Sequence, residues 1–352
     1  MGLKPTAVTM KTLAEKCCVS TTTISNAYSK PDRLSPELRE QIMATAKELG
    51  YCGPSAAGRA LRSGKTDVCG FLVYGGVTQA FADPYSVIFL GGLSEAAEQY
   101  GSSVLLLRAP EGFEDEADVL QRAAIDALVV SSTVDEVPFE AQLKQRGVRF
   151  VRTEAKDNDD WVTINDVQCG QQIGSHLSQL GHRDIVVIAN GGRRGIEEHD
   201  VLPDVLHPRL AAEAWARDRV QGLSQKLPGA RIHVVFAGGY SRTAGHAAAA
   251  RALDVQERPT AIVALSDVLA LGAWDAAKER GLTPGRDLSI SGFDDIPESA
   301  FLGITTVHQP IAEKGRVAGH LAMNPDYPHR QVTLPTELIV RSSTGPAPKN
   351  VI

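Results

Sequence analysis

The alternation of short apolar segments with helical patterns over residues 68–293 constrains the fold of this chain more than any other feature. Apolar strands that alternate with amphipathic helices predict parallel sheets covered by helices on both faces. So many units favour two doubly wound lobes over one, and ligands of such folds bind in a crevice at the carboxyl ends of the strands. The eight predicted strands are 68–74, 103–107, 127–131, 149–153, 185–189, 232–237, 261–265 and 288–293.

A separate, helical region precedes this alternating pattern. Thr9, Ser20 and Ser35 each stand where a hydroxyl can cap the start of a helix, and Gly50 stands where a helix would end. Two short helices joined by a tight turn and backed by a third form a helix-turn-helix bundle. A chain of 352 residues is long enough for this bundle and for further compact units.

The charges are divided unevenly between the two regions. Of 36 Lys/Arg and 42 Asp/Glu residues, residues 1–65 contain ten basic and five acidic ones, and the remainder contains 26 and 37. A basic head on an acidic body predicts that the head binds a polyanion and that the body does not. From charge alone, chance scatter is the alternative.

Several function classes lack their usual sequence features. No apolar run approaches the roughly 18–20 residues of a membrane span, and the N-terminus has no continuous apolar core of a secretory signal. Five cysteines without metal-ligand spacing indicate reduced thiols in a cytoplasm, and the nine histidines lack helical pairing. No nucleophile elbow, P-loop or metalloprotease motif occurs. We therefore predict a cytoplasmic protein that is not an enzyme and has no metal, cofactor or membrane partner.

The helical region resembles the DNA-binding head of the LacI/GalR (lactose-repressor) family of bacterial transcription regulators in residues 8–51, VTMKTLAEKCCVSTTTISNAYSKPDRLSPELREQIMATAKELGY. The likeness continues to Ser343, because five further segments follow in that family's order: GQQIGSHLSQLGHRDIVVIA, RVQG, LSDVLALGAWDAAKERGL, DLSISGFDDIP and ITTVHQP. The resemblance implies an N-terminal all-α helix-turn-helix head and an α/β periplasmic-binding-protein-like body of two doubly wound parallel-sheet lobes. It also implies a small-molecule pocket between the lobes.

The resemblance further implies where the parts of the chain begin and end. The connection over 193–218 is longer than is usual in the family, and we expect a solvated loop there, or a segment that shapes the mouth of the pocket. The implied parts are a head over 1–53, a hinge helix or linker over 54–66 and a body over 67–345. Within the body, the first lobe covers 67–164 and 309–329, and the second covers 165–308 and 330–345.

The second helix corresponds to the recognition helix of the family, which lies in the major groove with its N-terminal residues at base edges. Thr21, Thr22 and Asn26 match the base-reading positions, since threonine offers a hydroxyl and a methyl group and asparagine can pair with adenine. Relatives often have arginine at the position of Asn26, so we expect a different half-site. The serines of the head can cap a helix or contact phosphate without reading sequence. The implied DNA contacts of the head are Thr9, Ser20, Thr21, Thr22, Ser25, Asn26 and Ser35.

The hinge of this family folds into a short helix on operator DNA, and a leucine from each subunit enters the minor groove. Leu61 matches that leucine, and Arg62 beside it adds attraction to phosphate. One residue more than expected lies between Tyr51 and Leu61, which leaves the register of the hinge open. The alternative is that Leu61 is an ordinary linker residue.

Polar residues near the ends of predicted strands match the family's ligand contacts. Arg219, Asp267 and Asp294 correspond to such contacts, and an arginine between two carboxylates suits a hydroxyl-rich ligand. Tyr240 matches an aromatic residue that often stacks on an effector ring, and Glu154 stands where aspartate is usual. For the carboxylates, a salt-bridged or helix-capping role is the alternative. The implied effector contacts are Tyr85, Glu154, Arg219, Tyr240, Asp267 and Asp294.

Together these features predict a transcription repressor that binds double-stranded, palindromic operator DNA as a homodimer. A sugar or related polyhydroxy effector bound between the lobes would change the affinity for DNA, either as an inducer or as a corepressor. A phosphocarrier protein is the corepressor of some relatives, and no distinctive docking feature for one stands in this sequence. The competing interpretation is a solute-binding protein without DNA function, which the lack of a secretory signal opposes.

Overall fold

The computed structural model describes residues 8–53, 58, 60, 63–73, 76–108, 117–131, 137, 140–190, 201–202 and 213–348. The chain divides into two compact units, Met1–Asp67 and Val68–Ile352. The first unit is helical, and the second contains two mainly parallel sheets. In the described part of the chain, no helix combines the length and the apolar composition that crossing a membrane requires.

The first unit contains the three helices that the capping residues predict. Thr9 accepts a hydrogen bond from the backbone N–H of Thr12 (3.3 Å), and Ser20 accepts one from the backbone N–H of Thr23 (3.0 Å). These bonds satisfy donors that a helix leaves unpaired in its first turn. Gly50 ends the third helix with a φ of 70°, a left-handed conformation that glycine adopts without steric cost. The helices are α1 Met10–Lys16, α2 Thr21–Ser29 and α3 Pro36–Leu49.

A small hydrophobic core holds these helices together. Leu13 from α1, Ile24 from α2 and Ile42 from α3 are fully buried and belong to one cluster. Tyr28 packs edge to face against Tyr51 with 6.0 Å between the ring centroids, which fixes the segment after α3 against α2. The apolar face of each helix is therefore used for folding, and the polar faces remain at the surface.

The first lobe of the second unit is built on a six-stranded parallel sheet. The predicted lobe boundary is wrong at one point, because residues 331–334 pair with residues 161–164 of this sheet instead of joining the second lobe. Val332 and Leu334 pack against the first-lobe core, and this apolar contact holds the strand at the sheet edge. Across the sheet, the strands are β12 Gln331–Leu334, β5 Asp160–Ile164, β4 Arg149–Arg152, β3 Ala127–Val130, β1 Val68–Val73 and β2 Ser103–Arg108.

Two long helices, α5 Pro84–Gln99 and α13 Ile311–Met323, pack against each other on this sheet. Gly92 permits the close approach, because a Cβ atom there would lie 1.9 Å from the carbonyl oxygen of Ala312. Residues 311–323 are thus brought back to the first lobe after the chain has passed through the second. The remaining described helices of this lobe are α4 Gly76–Ala82, α6 Ala117–Arg122 and α7 Glu140–Gln145.

The second lobe is built on a five-stranded sheet whose helices cover both faces. Its strands, in order, are β10 Ser289–Ser291, β9 Ala261–Ala264, β6 Asp184–Ala189, β8 Arg231–Phe236 and β7 Val201–Leu202, the last antiparallel to its neighbour. A separate antiparallel pair joins β11 Thr306–His308 to β13 Glu337–Ile339. The described helices are α8 Asp166–Gln179, α9 Ala214–Gln225, α10 Arg242–Leu253, α11 Asp267–Glu279 and α12 Pro297–Leu302.

All eight predicted strands form, and each end lies within two residues of its predicted place. The prediction missed β5, β7, β11, β12 and β13, which have five or fewer residues each. Length alone does not explain the omission, since the predicted β3, β4, β9 and β10 have only three or four residues each. The pairing of β12 with β5 joins segments that lie far apart in the sequence, so no local pattern indicates it.

Candidate ligand-binding cleft and DNA-binding head

Both lobes of the second unit line one cleft. Many of its lining residues follow the carboxyl ends of β1, β3, β4, β8, β9 and β10, which is where a doubly wound fold places a ligand. The lining residues are Val73, Gln79, Ala80, Asp83, Tyr85, Ser86, Ser131, Thr153, Glu154, Asp166, Trp215, Arg219, Tyr240, Leu265, Ser266, Asp294, Gln309 and Lys314.

Arg219 is a buried cation in the second-lobe wall of this cleft. Its Nε donates to Asp166 Oδ1 (2.8 Å), and a terminal nitrogen donates to the carbonyl oxygen of Leu265 (2.7 Å). The guanidinium carbon lies 3.4 Å from the centroid of the Phe293 ring, a cation–π contact. Burial opposes the charge, but Asp166 and Asp294 hold the pKa of Arg219 above its usual value. Arg219 is therefore a fixed, charged group of hydrogen-bond donors in the wall.

Asp294 lies in the loop after β10 and also lines the cleft. Its φ of 119° is rare for a residue other than glycine, and such backbone strain is common at ligand sites. Gln309 donates to its Oδ1 (2.6 Å), and the backbone N–H of Asp267 donates to its Oδ2 (3.4 Å). Burial, together with the nearby charge of Asp267, raises the pKa of Asp294 well above its usual value. A carboxyl group that keeps its proton can both donate and accept, which suits a ligand hydroxyl.

Asp267 is not among the residues that line the cleft, which corrects the predicted ligand contact. It begins α11 and is fully buried. Its carboxylate accepts hydrogen bonds from the hydroxyl of Thr306 (2.7 Å) and from the backbone N–H of Ile296 (3.0 Å). Burial raises the pKa of Asp267 to about 7 although these hydrogen bonds oppose the change. Because its oxygens are used inside the lobe, Asp267 positions the loop that carries Asp294.

Tyr240 lines the cleft beside Trp215, with 6.3 Å between their ring centroids. Its hydroxyl donates to Glu213 Oε2 (3.1 Å). Burial, followed by the charge of Glu213, raises the pKa of Tyr240 well above its usual value, so the ring stays neutral. Gln79 of α4 donates to the carbonyl oxygen of Tyr240 (2.7 Å). That hydrogen bond joins the first lobe to the second at the edge of the cleft.

The structure places Tyr85 and Glu154 in the first-lobe wall. Tyr85 stacks against Phe89 of the lobe core with 6.4 Å between the ring centroids. Asp83, which was not among the predicted contacts, caps α5 and accepts hydrogen bonds from the backbone N–H (3.2 Å) and hydroxyl (2.7 Å) of Ser86. Burial raises the pKa of Asp83 despite these bonds. The first-lobe side of the cleft thus contains the aromatic ring of Tyr85 and the carboxyl groups of Asp83 and Glu154.

Three further side chains in the cleft were not predicted, namely Trp215, Gln309 and Lys314. Trp215 belongs to the connection over 193–218, for which the sequence predicts a solvated loop or a segment at the mouth of the pocket. Only 8% of its surface is exposed. Gln309 stands in the motif ITTVHQP, which could have drawn attention to it. Lys314 stands on an amphipathic helix, where a lysine usually faces solvent. Local patterns therefore gave no reason to place it in a cleft.

In the head, the start of α2 is open to solvent. Thr21 and Thr22 are exposed in its first turn, and Ser25 and Asn26 are half-buried in the next. The hydroxyl of Thr23 is hydrogen-bonded to that of Ser20 (2.9 Å), which gives this threonine a structural role in the cap. The first two threonines therefore present their hydroxyl and methyl groups at the surface of the helix.

The capping residues Thr9, Ser20 and Ser35 are exposed as well. Each side-chain oxygen accepts a backbone hydrogen bond from its own helix, and each hydroxyl hydrogen is still a donor. Such groups can contact a phosphate while they cap a helix. The predicted hinge contacts Leu61 and Arg62 lie outside the described residues.

Comparison with known proteins decides the family. A family model described as a periplasmic binding protein-like domain matches residues 175–344. An HTH-type transcriptional regulator of Mycolicibacterium smegmatis is 34% identical over 357 residues, which cover 97% of this chain and 98% of the relative. A solved structure of a LacI-family transcriptional regulator from Corynebacterium glutamicum is 25% identical, with a TM-score of 0.69 over 98% of this chain and 100% of that one. The chain belongs to the LacI family of transcriptional regulators.

The fold of this LacI-family regulator agrees with that of the lac repressor dimer bound to operator and the anti-inducer ONPF. That structure is 20% identical, with a TM-score of 0.73 over 96% of this chain and 99% of that one. The predicted family and fold class, a helix-turn-helix head with a two-lobed periplasmic-binding-protein-like body, are confirmed. Since the relatives are transcriptional regulators, the prediction that the chain is not an enzyme is confirmed too.

Proposed function

We propose that this regulator is a repressor that binds a palindromic operator as a homodimer and is controlled by a polyhydroxy effector, in the cytoplasm. The observation that carries the proposal is the cleft, because both lobes line it with buried, oriented polar groups in a chain that also has a helix-turn-helix head. A ligand that contacts both lobes favours one arrangement of them over another.

The surface of the head supports the DNA-binding part of the proposal. Thr21 and Thr22 lie exposed at the start of α2, the end of a recognition helix that meets base edges. Exposed cations surround the bundle and supply attraction to phosphate. A homodimer would present two such heads to two half-sites, as expected for a palindrome. The exposed basic residues are Lys11, Lys16, Lys30, Arg33, Arg39 and Lys47.

The chemistry of the cleft supports a hydroxyl-bearing effector. Arg219 supplies fixed donors, and Asp294 supplies a carboxyl group that is favoured in its protonated form. Trp215 and Tyr240 supply apolar ring surface beside them. Alternating polar groups and ring faces match the hydroxyls and the C–H faces of a sugar-like molecule.

A response to the effector requires that ligand binding be coupled to a change in the arrangement of the two lobes. Gln79 and Tyr240 already join the two lobes by one hydrogen bond, so the lobes have a contact that closure can strengthen or break. A coupling free energy of about 1–3 kcal/mol between the two sites is typical and would change DNA affinity about 5–150-fold.

The test is a mobility-shift experiment with DNA from around the protein's own gene, at several salt concentrations. A thermal-shift screen of sugars, polyols and nucleosides runs alongside it, since a bound ligand raises stability by mass action. We expect specific binding that weakens with salt, and at least one compound that both stabilises the protein and changes its DNA affinity. No binding at low salt, with or without these compounds, would contradict the DNA-binding role and favour a solute-binding protein.

A further inference from the structure

Lys314 is an unusual group to find in the wall of a ligand cleft. It projects from α13, lines the cleft, and only 4% of its surface is exposed. Within the described ranges of the chain, its ammonium group has no side-chain hydrogen bond and no ion pair within 4.0 Å. Burial lowers its pKa to about 8, so the group still carries its proton at neutral pH. A buried charge without a partner is costly, and proteins rarely keep one without a use for it.

Three carboxyl groups of the cleft, those of Asp166, Asp294 and Asp83, are held by contacts with other residues. Asp166 is paired with Arg219 at 2.8 Å. Asp294 accepts from Gln309, and its raised pKa favours the neutral form. Asp83 is held by Ser86 as a helix cap. Glu154 also faces Lys314, but among the described cleft residues no carboxylate lies within the 4.0 Å of an ion pair with its ammonium group.

Three neutral polar atoms of residues that line the same cleft are also without a partner. Trp215 Nε1, Ser266 Oγ and Gln309 Oε1 are buried and form no hydrogen bond, although their residues line the cleft and are more than nine-tenths buried. Buried polar atoms in folded proteins are nearly always paired. An indole N–H, a hydroxyl and an amide oxygen together match the donors and acceptors of ligand hydroxyls. None of the three carries a negative charge that would balance the ammonium group of Lys314.

We infer that the effector is an acid, a polyhydroxy compound with a carboxylate or phosphate group whose negative oxygens bind the ammonium group of Lys314. This inference rests on the proposal that the cleft is the effector site. The hydroxyls of such a ligand pair with Trp215, Ser266 and Gln309, and its anionic group pairs with Lys314. A hydroxyl of a neutral sugar can accept a hydrogen bond from the ammonium group, but it brings no negative charge to balance the buried cation.

The experiment uses the purified full-length chain and matched probes that differ in charge. The carboxylate arm contains aldonic and uronic acids such as gluconate and glucuronate, and the phosphate arm contains hexose and pentose phosphates such as glucose 6-phosphate. The neutral arm contains glucose and glucitol. Binding is measured by thermal shift and by titration calorimetry on the wild type, on Lys314→Met and on Lys278→Met. Methionine keeps much of the length of lysine without its charge, and Lys278 is an exposed lysine of α11 that serves as the control.

We expect at least one anionic probe to bind the wild type more tightly than its neutral counterpart. Lys314→Met should weaken that binding roughly 10-fold or more, as expected when a charge-assisted contact to a ligand is lost. Lys278→Met should bind like the wild type. The arm that responds distinguishes a carboxylate from a phosphate effector. The inference is overturned if no anionic probe binds, or if the best probe binds the wild type and Lys314→Met equally well.

A mobility-shift arm separates this inference from the proposed function. If a neutral polyol binds and changes DNA affinity in both the wild type and Lys314→Met, the proposed function stands and the acid effector is wrong. If an anionic probe binds through Lys314 but the protein does not bind DNA, the acid ligand stands and the regulatory function is wrong.

Discussion

In the head, the candidate functional side chains lie outside the hydrophobic core, whereas in the cleft they lie inside the protein. Thr21 and Thr22 are exposed, and the folding of the head relies on other residues such as Ile24. Arg219 and Asp294 are more than nine-tenths buried and are held by residues distant in the sequence. The residues proposed to contact DNA are therefore separate from those that stabilise the head. In the cleft the two roles are coupled, because the residues proposed to contact the ligand also contribute to stability.

The strongest test of that coupling is Arg219→Leu. The substitution leaves Asp166 without its buried partner, so we expect the free energy of unfolding of the second unit to fall by about 3–5 kcal/mol. Effector binding should be lost as well. Arg217→Leu, two residues away on the same helix, removes an exposed guanidinium paired with its neighbour Asp218 and should change stability by less than about 0.5 kcal/mol. Chemical denaturation of both variants measures these changes. Equal losses of stability in the two variants would contradict the prediction that only the buried arginine matters for folding.

The separability of the head is tested by Asn26→Ala. We expect relaxed preference at one base pair of each half-site, worth about 1–3 kcal/mol of discrimination, because the side-chain amide that would pair with adenine is removed. Stability should change by less than about 0.5 kcal/mol. Selected-site binding measures the first effect and denaturation the second. Ile24→Ala is the reverse control, since removal of this fully buried side chain should cost about 2–5 kcal/mol of stability. If Asn26→Ala leaves the base preference unchanged, Asn26 does not read a base pair.

Lys314 should make the stability of the ligand-free second unit depend on pH. Its pKa is about 8 in the folded protein and near 10.5 in an unfolded chain, so between these values the unfolded chain binds more protons. The free energy of unfolding should rise by about 2 kcal/mol from pH 8 to pH 10.5 relative to Lys314→Met. The titratable groups that face Lys314 are Asp166, Arg219, Asp294 and Glu154, which both proteins share. Parallel pH profiles for the two proteins would contradict this prediction.

The smallest expected effect concerns the contact between the lobes. Gln79→Ala removes the hydrogen bond to the carbonyl oxygen of Tyr240 and should reduce the effector's influence on DNA affinity by about 1 kcal/mol, roughly 5-fold. Gln171→Ala removes an exposed hydrogen bond to Gln225 within the second lobe and should leave that influence unchanged. DNA titrations with and without effector measure both. A larger effect from Gln171→Ala would show that the lobe contact is not the coupling element.

Much of the fold could be predicted because it depends on local patterns. The caps Thr9, Ser20 and Ser35 stand directly before periodic helices, and the eight apolar strands are separated by recognisable turns. The strand β12 could not be placed in this way. Its four residues belong to the first sheet only because α13 returns the chain to that lobe beforehand.

The candidate site shows the same limit. Arg219, Tyr240 and Asp294 were all predicted as ligand contacts near strand ends, and the structure places all three in the cleft, although Arg219 reaches it from within helix α9. Asp267 stands in an equally suitable position, yet its carboxylate is bound by Thr306 and Ile296. Only the folded chain distinguishes a carboxylate that lines a cleft from one that is bonded behind it.

Three properties can be recognised without the structure, because each depends on neighbouring residues: the helix-turn-helix head, the alternation that makes two lobes, and the lack of known catalytic motifs. The tertiary structure decided which side chains meet in the cleft. Trp215 and Lys314 are about a hundred residues apart in the chain and stand in ordinary helical patterns, so their shared burial beside one ligand space depends on how two lobes pack. Burial sets the electrostatic cost of a charge, and burial is a property of the fold rather than of the local sequence.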